Sequence, residues 1–122
     1  MKRVFVTTNE FWKYWESLGL TDNDIKEVED LLIKNPDLGV VIKSSGGLRK
    51  LRWGAKGKGK RSGIRILYVD FPKYEHLFFI TLLKKNETAD LSEKDKKVIT
   101  GIIKEIEYKF EEKINEKHKN KK

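Results

Sequence analysis

Four basic side chains in this sequence are the best suited to chemistry on a phosphate chain: Lys50, Arg52, Arg65 and Lys85. Each lies on, or at the end of, a segment whose alternating pattern predicts a β-strand, so adjacent strands can bring them together. Arginines stabilise the charge that develops when a ribose 2′-OH attacks phosphorus, and a lysine among other cations can accept the 2′-OH proton. The set predicts metal-independent RNA cleavage or, as the alternative, a phosphate-binding surface without chemistry.

The charge pattern around these residues indicates an anionic partner. Residues 43–65 contain nine Lys and Arg residues and no Asp or Glu. The whole chain has 27 Lys+Arg and 19 Asp+Glu, so 18 bases face 19 acids elsewhere. Positive charge concentrated in one segment favours polyanions, because binding releases their counterions. Nucleic acid is therefore the expected partner.

The segment G-A-K-G-K-G-K at residues 54–60 is predicted to be a loop that brings backbone amides and lysines to nucleic acid. A solvated loop that only keeps the protein soluble is the alternative. The G-x-x-x-x-G-K spacing also matches a nucleotide-binding loop, but Arg61 replaces the Ser or Thr that holds magnesium and a strand follows instead of a helix. With Trp53 expected to stack on a base, the predicted RNA-contacting residues are Arg49, Trp53, Lys56, Lys58, Lys60, Arg61 and Lys84.

Other kinds of catalytic site find little support. The chain has no cysteine, which excludes disulfides and thiolate metal sites. His76 falls in a buried-looking strand and His118 in the C-terminal tail, so we expect no histidine-based mechanism, no metal site and no cofactor. No apolar run approaches the length of a membrane-spanning helix, and we expect a cytoplasmic protein.

Periodicity predicts an α+β fold in a single domain at residues 1–116, with two N-terminal helices and one C-terminal helix packed on a small antiparallel sheet. Thr7 with Glu10, and Thr21 with Asp24, are the predicted capping boxes of the first two helices. Ser92 begins the third helix, whose apolar stripe runs to Ile114. The predicted strands are residues 2–7, 48–53, 63–70 and 76–83, the last three forming an antiparallel meander. Residues 117–122 form a basic tail that we expect to be mobile.

Three motifs within residues 41–92 resemble the RelE/HigB superfamily of bacterial type II toxins, in particular its HigB-like branch: G-G-L-R-K-L-R-W, G-K-G-K-R-S-G-I-R-I-L-Y and K-K-N-E-T-A-D-L-S. The resemblance implies a RelE-like fold and an endoribonuclease, an mRNA interferase that inhibits translation by cutting mRNA in the ribosomal A site through 2′-OH attack. The implied partners are the ribosome, through 16S rRNA and A-site mRNA, and a cognate antitoxin of helix-turn-helix type. Operator DNA would be bound only through the antitoxin complex, and no membrane is involved.

The resemblance also implies roles for individual residues. Arg65 matches the arginine of the strand pattern G-x-R-[IVL]-x-Y, which contacts the scissile phosphate in the family. Lys50 and Arg52 match basic positions on the preceding strand, and Lys85 matches the basic residue after the last strand. Leu91 stands near the position where some relatives have a stacking tyrosine. Which of Lys50 and Lys85 is the base and which is the acid stays open. The rival hypothesis for the whole protein is a degenerate toxin or a non-catalytic module that binds nucleic acid or the ribosome.

Overall fold

Three helices pack on the two faces of a five-stranded sheet whose order is β1-β5-β4-β3-β2. The computed structural model describes residues 2–54, 63–84 and 91–120, with side chains up to residue 116. The strands are β1 (Val4–Val6), β2 (Val40–Val41), β3 (Arg49–Trp53), β4 (Ile64–Phe71) and β5 (His76–Lys84), and the helices are α1 (Asn9–Ser17), α2 (Asp22–Lys34) and α3 (Glu93–Asn120). The predicted α+β fold class is confirmed.

Helices α1 and α2 cover one face of the sheet. Helix α1 begins one residue later than predicted, because the hydroxyl of Thr8, not Thr7, accepts the N–H of Phe11. The predicted capping box at Thr21 and Asp24 is present. Phe11 and Trp15 on α1 are buried together with Ile25, Val28 and Leu32 on α2. The same cluster includes alternate residues of β3, β4 and β5. This cluster is the larger part of the core.

Helix α3 covers the opposite face from Ile99 to Phe110. Ile99 and Ile103 are buried against the odd-numbered residues of β4, from Leu67 to Phe71. The aromatic ring of Phe110 stacks against Tyr74 at a centroid distance of 4.6 Å and closes this cluster at the end of the sheet. The helix continues to Asn120, past the predicted domain boundary, and the mobility of residues 117–122 stays a prediction.

The sheet is mixed, whereas the sequence predicted only antiparallel pairing. The antiparallel meander of β3, β4 and β5 is confirmed. Strand β1, however, lies parallel to β5 along its outer edge. A bidentate ion pair stabilises this arrangement. Arg3 Nε donates to Asp70 Oδ1 at 2.7 Å, and Arg3 Nη2 donates to Asp70 Oδ2 at 3.1 Å. The hydrogen bond to Asp70 raises the pKa of Arg3.

A tight turn leads the chain from β2 into β3. Gly46 and Gly47 have φ of 77° and 101°, values in the left-handed region that favours glycine. The buried Ser45 hydroxyl donates to Ile42 O and accepts the N–H of Leu48. The turn thereby fixes where β3 begins and which of its residues face α3. No helix in the described part of the chain is long and apolar enough to cross a membrane.

Candidate nucleic-acid interface

Strands β3 and β4 place three of the four predicted catalytic residues on one face of the sheet. Lys50 pairs with Leu67, and Arg52 pairs with Arg65, in the antiparallel register. Directly opposed residues point to the same side of a sheet, and Leu67 belongs to the cluster under α3. Lys50, Arg52 and Arg65 therefore share the α3 side, which we call the basic face. Their grouping agrees with the predicted alternation, and their roles stay predictions.

Arg65 holds a buried guanidinium nitrogen on the basic face. Its side chain is half-buried, and its Nη1 atom is buried without a hydrogen-bond partner among the described residues. On β5 its direct partner is Leu83, which packs in the α3-side cluster. A buried guanidinium N–H without an acceptor costs free energy, and a phosphate oxygen can recover that cost through a charge-assisted hydrogen bond. The Nη1 of Arg65 can therefore donate a hydrogen bond to an anionic oxygen.

Arg52 is exposed and adds a second guanidinium beside the first. Within the described ranges, neither Arg52 nor Arg65 forms an ion pair with an acidic side chain. Two like charges directly opposed on neighbouring strands destabilise the sheet. The pair of Arg52 and Arg65 therefore gives the basic face a positive potential and lowers the stability of the sheet. Charges kept at a cost in stability are typical of functional sites.

Arg49 lies on the other face of the sheet, which argues against the predicted RNA contact. Its Nη1 donates to Gly39 O at 2.7 Å and to Asp37 O at 3.1 Å, and its Nη2 lies 3.2 Å from Asp37 Oδ1. The side chain therefore fixes the segment that leads into β2. Alternation assigns Arg49 to a face but does not identify these partners, and its RNA contact stays a prediction.

Trp53 is buried, with 6% of its surface exposed, and cannot stack on a base in this conformation. Its ring stacks on Trp15 of α1 at a centroid distance of 5.6 Å. The stacking role predicted for Trp53 is therefore wrong. The core between the sheet and the first two helices needs a large apolar side chain at the end of β3, and the indole supplies it.

Tyr68 is a structural residue that the sequence analysis missed. Its hydroxyl donates to Pro36 O at 2.7 Å and accepts the N–H of Gly39 at 2.8 Å. Burial raises the pKa of Tyr68. A Cβ atom on Gly39 would lie 2.8 Å from Tyr68 Cε1, so this approach requires glycine. The available signal was a tyrosine at a core-facing position of β4, where a hydroxyl needs a partner.

The remaining predicted site residues divide into two groups. Lys84 is exposed and pairs with Ile64, a residue of the cluster under α1 and α2, so it lies on the face opposite Arg65. That position does not join it to the basic face. Five predicted residues lie outside the described ranges: Lys56, Lys58, Lys60, Arg61 and Lys85.

Histidine and acidic residues do not form a metal centre in the described part of the chain. The described side chains, which lie within residues 2–54, 63–84 and 91–116, contain no group of three or more His, Asp or Glu that could hold a metal ion. His76 Nδ1 lies 2.7 Å from Tyr74 O, and its ring meets Phe110 edge-on at 4.9 Å. His76 is therefore part of the aromatic cluster that Phe110 closes at the end of the sheet.

Two comparisons relate this geometry to known proteins. A family model described as "RelE toxin of RelE / RelB toxin-antitoxin system" matches residues 2–122. The structure also matches that of a mutant of the E. coli toxin RelE in the free state, with 14% sequence identity and a TM-score of 0.50. That match covers 72% of this chain and 88% of the E. coli chain. At this identity the structural match shows a shared fold.

Proposed function

The chain belongs to the RelE toxin family of toxin-antitoxin systems, and on that premise we propose that it is a ribosome-dependent endoribonuclease. Its substrate is translated mRNA in the ribosomal A site, and cleavage inhibits translation and arrests growth. The observation that carries this proposal is the unpartnered, buried Nη1 of Arg65 on a face that also holds Arg52 and Lys50. Such a face favours a phosphate whose charge increases during the reaction.

The reaction proposed is attack of a ribose 2′-oxygen on the adjacent phosphorus. A base removes the 2′-OH proton, the new O–P bond forms, and the bond from phosphorus to the 5′-oxygen breaks. An acid donates a proton to that leaving oxygen, which yields a 2′,3′-cyclic phosphate and a free 5′-OH. No metal ion enters these steps. The base removes one proton and the acid delivers one, so the reaction is balanced in protons.

Arg65 and Arg52 stabilise the phosphorane that forms between these two events. Arg65 provides the enclosed donor, where a hydrogen bond to charge is stronger than in open solvent, and Arg52 provides a second positive charge. Lys50 and Lys85 are the proposed acid and base, in either order. The loop that contains Lys56, Lys58, Lys60 and Arg61 is proposed to contact 16S rRNA.

The partners proposed for this activity are the ribosome and a cognate antitoxin of helix-turn-helix type. The antitoxin neutralises the chain, and operator DNA is bound only through their complex. Action on translating ribosomes implies a cytoplasmic protein. The HigB-like branch of the superfamily remains our prediction for the chain's closest relationship.

Growth arrest tests the proposal in cells. Arg65→Ala is expected to relieve the arrest caused by wild type at equal expression, whereas Lys13→Ala is expected to retain it. Lys13 is an exposed cation on α1, on the side of the sheet opposite the basic face, so the control removes charge without touching the site. Arrest by Arg65→Ala equal to that of wild type would contradict the role of Arg65.

A further inference from the structure

The turn between β2 and β3 has backbone amides that the fold does not use. Inside the turn, the Ser45 hydroxyl bonds to the main chain at both ends and takes the place of backbone partners. No N–H of residues 44–47 donates a hydrogen bond to another residue in the described part of the chain. Ser44, Gly46 and Gly47 have φ of 58°, 77° and 101°. Successive N–H groups in a turn of this kind can converge on an anion.

Thr100 on α3 lies beside this turn and has an unused hydroxyl. A Cβ atom on Gly46 would lie 3.5 Å from Thr100 Cγ2. Thr100 Oγ1 is buried and has no hydrogen-bond partner among the described residues. A threonine in a helix adopts either of two χ1 rotamers, so its hydroxyl can exchange places with the methyl group and point to the turn. A buried hydroxyl without a partner costs free energy, which a bound oxygen atom can recover.

The space next to Gly47 can hold a ligand. A Cβ atom on Gly47 would meet no atom of the described residues within 4 Å. The neighbouring Gly46, in contrast, lies against Thr100 and Ile103 of α3. The turn is therefore closed by α3 on one side and open at Gly47.

Two unpaired lysines flank Thr100 on the surface of α3. Residues three or four positions apart are neighbours on a helix, and Lys97 and Lys104 stand three residues before and four residues after Thr100. Both lysines are exposed. Neither forms an ion pair with an acidic side chain within the described ranges. Their charge is therefore available to an anion bound at the turn.

The acids on this side of α3 are too far away to neutralise that charge. Glu93 and Glu107 each stand seven residues from Thr100, which is about 10 Å along the helix axis. Glu93 already lies 3.6 Å from Lys96. The turn itself contributes the exposed Lys43 and no acid. The environment of the free amides is therefore positive.

The turn borders the basic face. Leu48 follows the turn directly and packs with Leu67 in the cluster under α3. Lys50 and Arg52 follow on the same face of β3 at intervals of two residues. The rise of a strand from Leu48 to Arg52 is about 13 Å, a distance that a few nucleotides of single-stranded RNA can span. An RNA strand bound at Arg65 can therefore reach the turn.

We propose that residues 43–47, Thr100, Lys97 and Lys104 form a second phosphate site, which we call the turn subsite. It binds a backbone phosphate of the RNA substrate a few nucleotides from the bond that is cut. The inference rests on the proposed function, because it takes RNA as the ligand. The free amides and the Thr100 hydroxyl donate to phosphate oxygens, and the lysines supply charge.

A phosphate contact of this kind positions the strand and does not read its sequence. It acts equally in the bound substrate and in the transition state, because the phosphate at the turn does not react. Loss of the turn subsite should therefore raise KM and leave kcat nearly unchanged. Loss of Arg65 should lower kcat instead, since that residue is proposed to stabilise the phosphorane.

The first test is a titration with a short single-stranded RNA whose 2′-OH groups are methylated, so that it cannot be cut. Thr100→Val is expected to weaken binding by about threefold to tenfold. Thr100→Ser keeps the hydroxyl and should bind within about twofold of wild type. The two Thr100 variants should be at least as stable as wild type or nearly so in urea, because the hydroxyl has no partner in the free chain. A less stable Thr100→Val with wild-type affinity for RNA would show a packing role only and would overturn the inference.

The lysines are tested by the double variant Lys97→Gln, Lys104→Gln. We expect affinity for the methylated RNA to fall by about tenfold, and the slope of log affinity against log salt to decrease by about one to two. Lys109→Gln is the matched control, expected to bind within about twofold of wild type. Lys109 lies on the same helix, nine residues after Thr100 and thus on the opposite side. Equal effects of the double variant and the control would contradict the turn subsite.

Nuclear magnetic resonance observes the turn directly. The amide signals of Gly46 and Gly47 are expected to shift when the methylated RNA is added, and also with inorganic phosphate at millimolar concentration. Absence of both shifts would overturn the inference. So would wild-type affinity of the double variant for the short RNA together with weaker binding to ribosomes, because the turn would then contact ribosomal RNA. Absence of cleavage by wild type on ribosomes would count against the proposed function, while the titration and the amide shifts still decide about the turn subsite.

Discussion

Arg52 on β3 and Arg65 on β4 stand directly opposite each other in the antiparallel register, with no acidic side chain of the described residues paired to either. Opposed like charges cost the sheet about 0.2–1 kcal/mol. Arg52→Gln should therefore raise the free energy of unfolding by about that amount while lowering the rate of RNA cleavage. Urea unfolding and a cleavage assay measure the two effects. A variant that is less stable than wild type would show that the two guanidinium groups do not repel each other.

The hydroxyl of Tyr68 should contribute to stability through its two hydrogen bonds to the segment before β2. Tyr68→Phe leaves the N–H of Gly39 and the carbonyl of Pro36 without this partner, at a cost of about 1–3 kcal/mol. Chemical denaturation measures the loss. Tyr108→Phe is the matched control, because Tyr108 is 63% exposed, and it should change stability by less than about 0.5 kcal/mol. Equal effects of the two variants would argue against the role assigned to Tyr68.

The pair of Arg3 and Asp70 should hold β1 onto the sheet. The two side chains are 8% and 7% exposed, and they lie at the rim of the sheet. Asp70→Asn should cost about 1–3 kcal/mol, because it leaves a guanidinium without its charged partner. The exposed pair of Lys109 and Glu105 provides the comparison, since Glu105→Gln should cost at most about 0.5 kcal/mol. A double-mutant cycle that includes Arg3→Met should show coupling between Arg3 and Asp70, and additivity would contradict the prediction.

Glu29 should make the protein less stable as pH rises. Burial raises its pKa in the folded state, and repulsion from Asp30 adds to the shift, whereas Lys26 opposes it. The folded state thus binds the proton more tightly than the unfolded state, so wild type loses stability as pH rises from the ordinary glutamate pKa of 4.5 through the raised pKa of the folded state. Glu29→Gln should remove this part of the pH dependence and be more stable than wild type at neutral pH. Urea titrations at pH values on both sides of this window test the difference, and parallel curves would refute it.

The helices and the central strands could be predicted because their signals are local. The capping box of α2 is set by residues three positions apart, and the alternation along β4 correctly divided its residues between the two faces. The start of α1 was missed by one residue because Thr7 and Thr8 are both capable of capping, and sequence alone does not choose between them. Local pattern was therefore sufficient for the elements of the fold.

The features that could not be predicted depend on contacts between distant residues. Strand β2 has two residues and little periodicity, and the parallel pairing of β1 with β5 joins residues about seventy positions apart. For the candidate site, alternation correctly grouped Lys50 with Arg52. It could not show that α1 and α2 cover the end of β3, and for that reason it assigned base stacking to the buried Trp53.

The central claim is that the basic face cuts mRNA on the ribosome. The most direct measurement is primer extension on mRNA in a reconstituted translation system, with wild type and Arg65→Ala compared in the presence and absence of ribosomes. We predict cuts within codons by wild type that require ribosomes and that Arg65→Ala reduces by two orders of magnitude or more, in line with the loss of a preorganised oxyanion donor. Folded wild type that cuts no RNA under either condition would contradict the claim and favour a non-catalytic binding module.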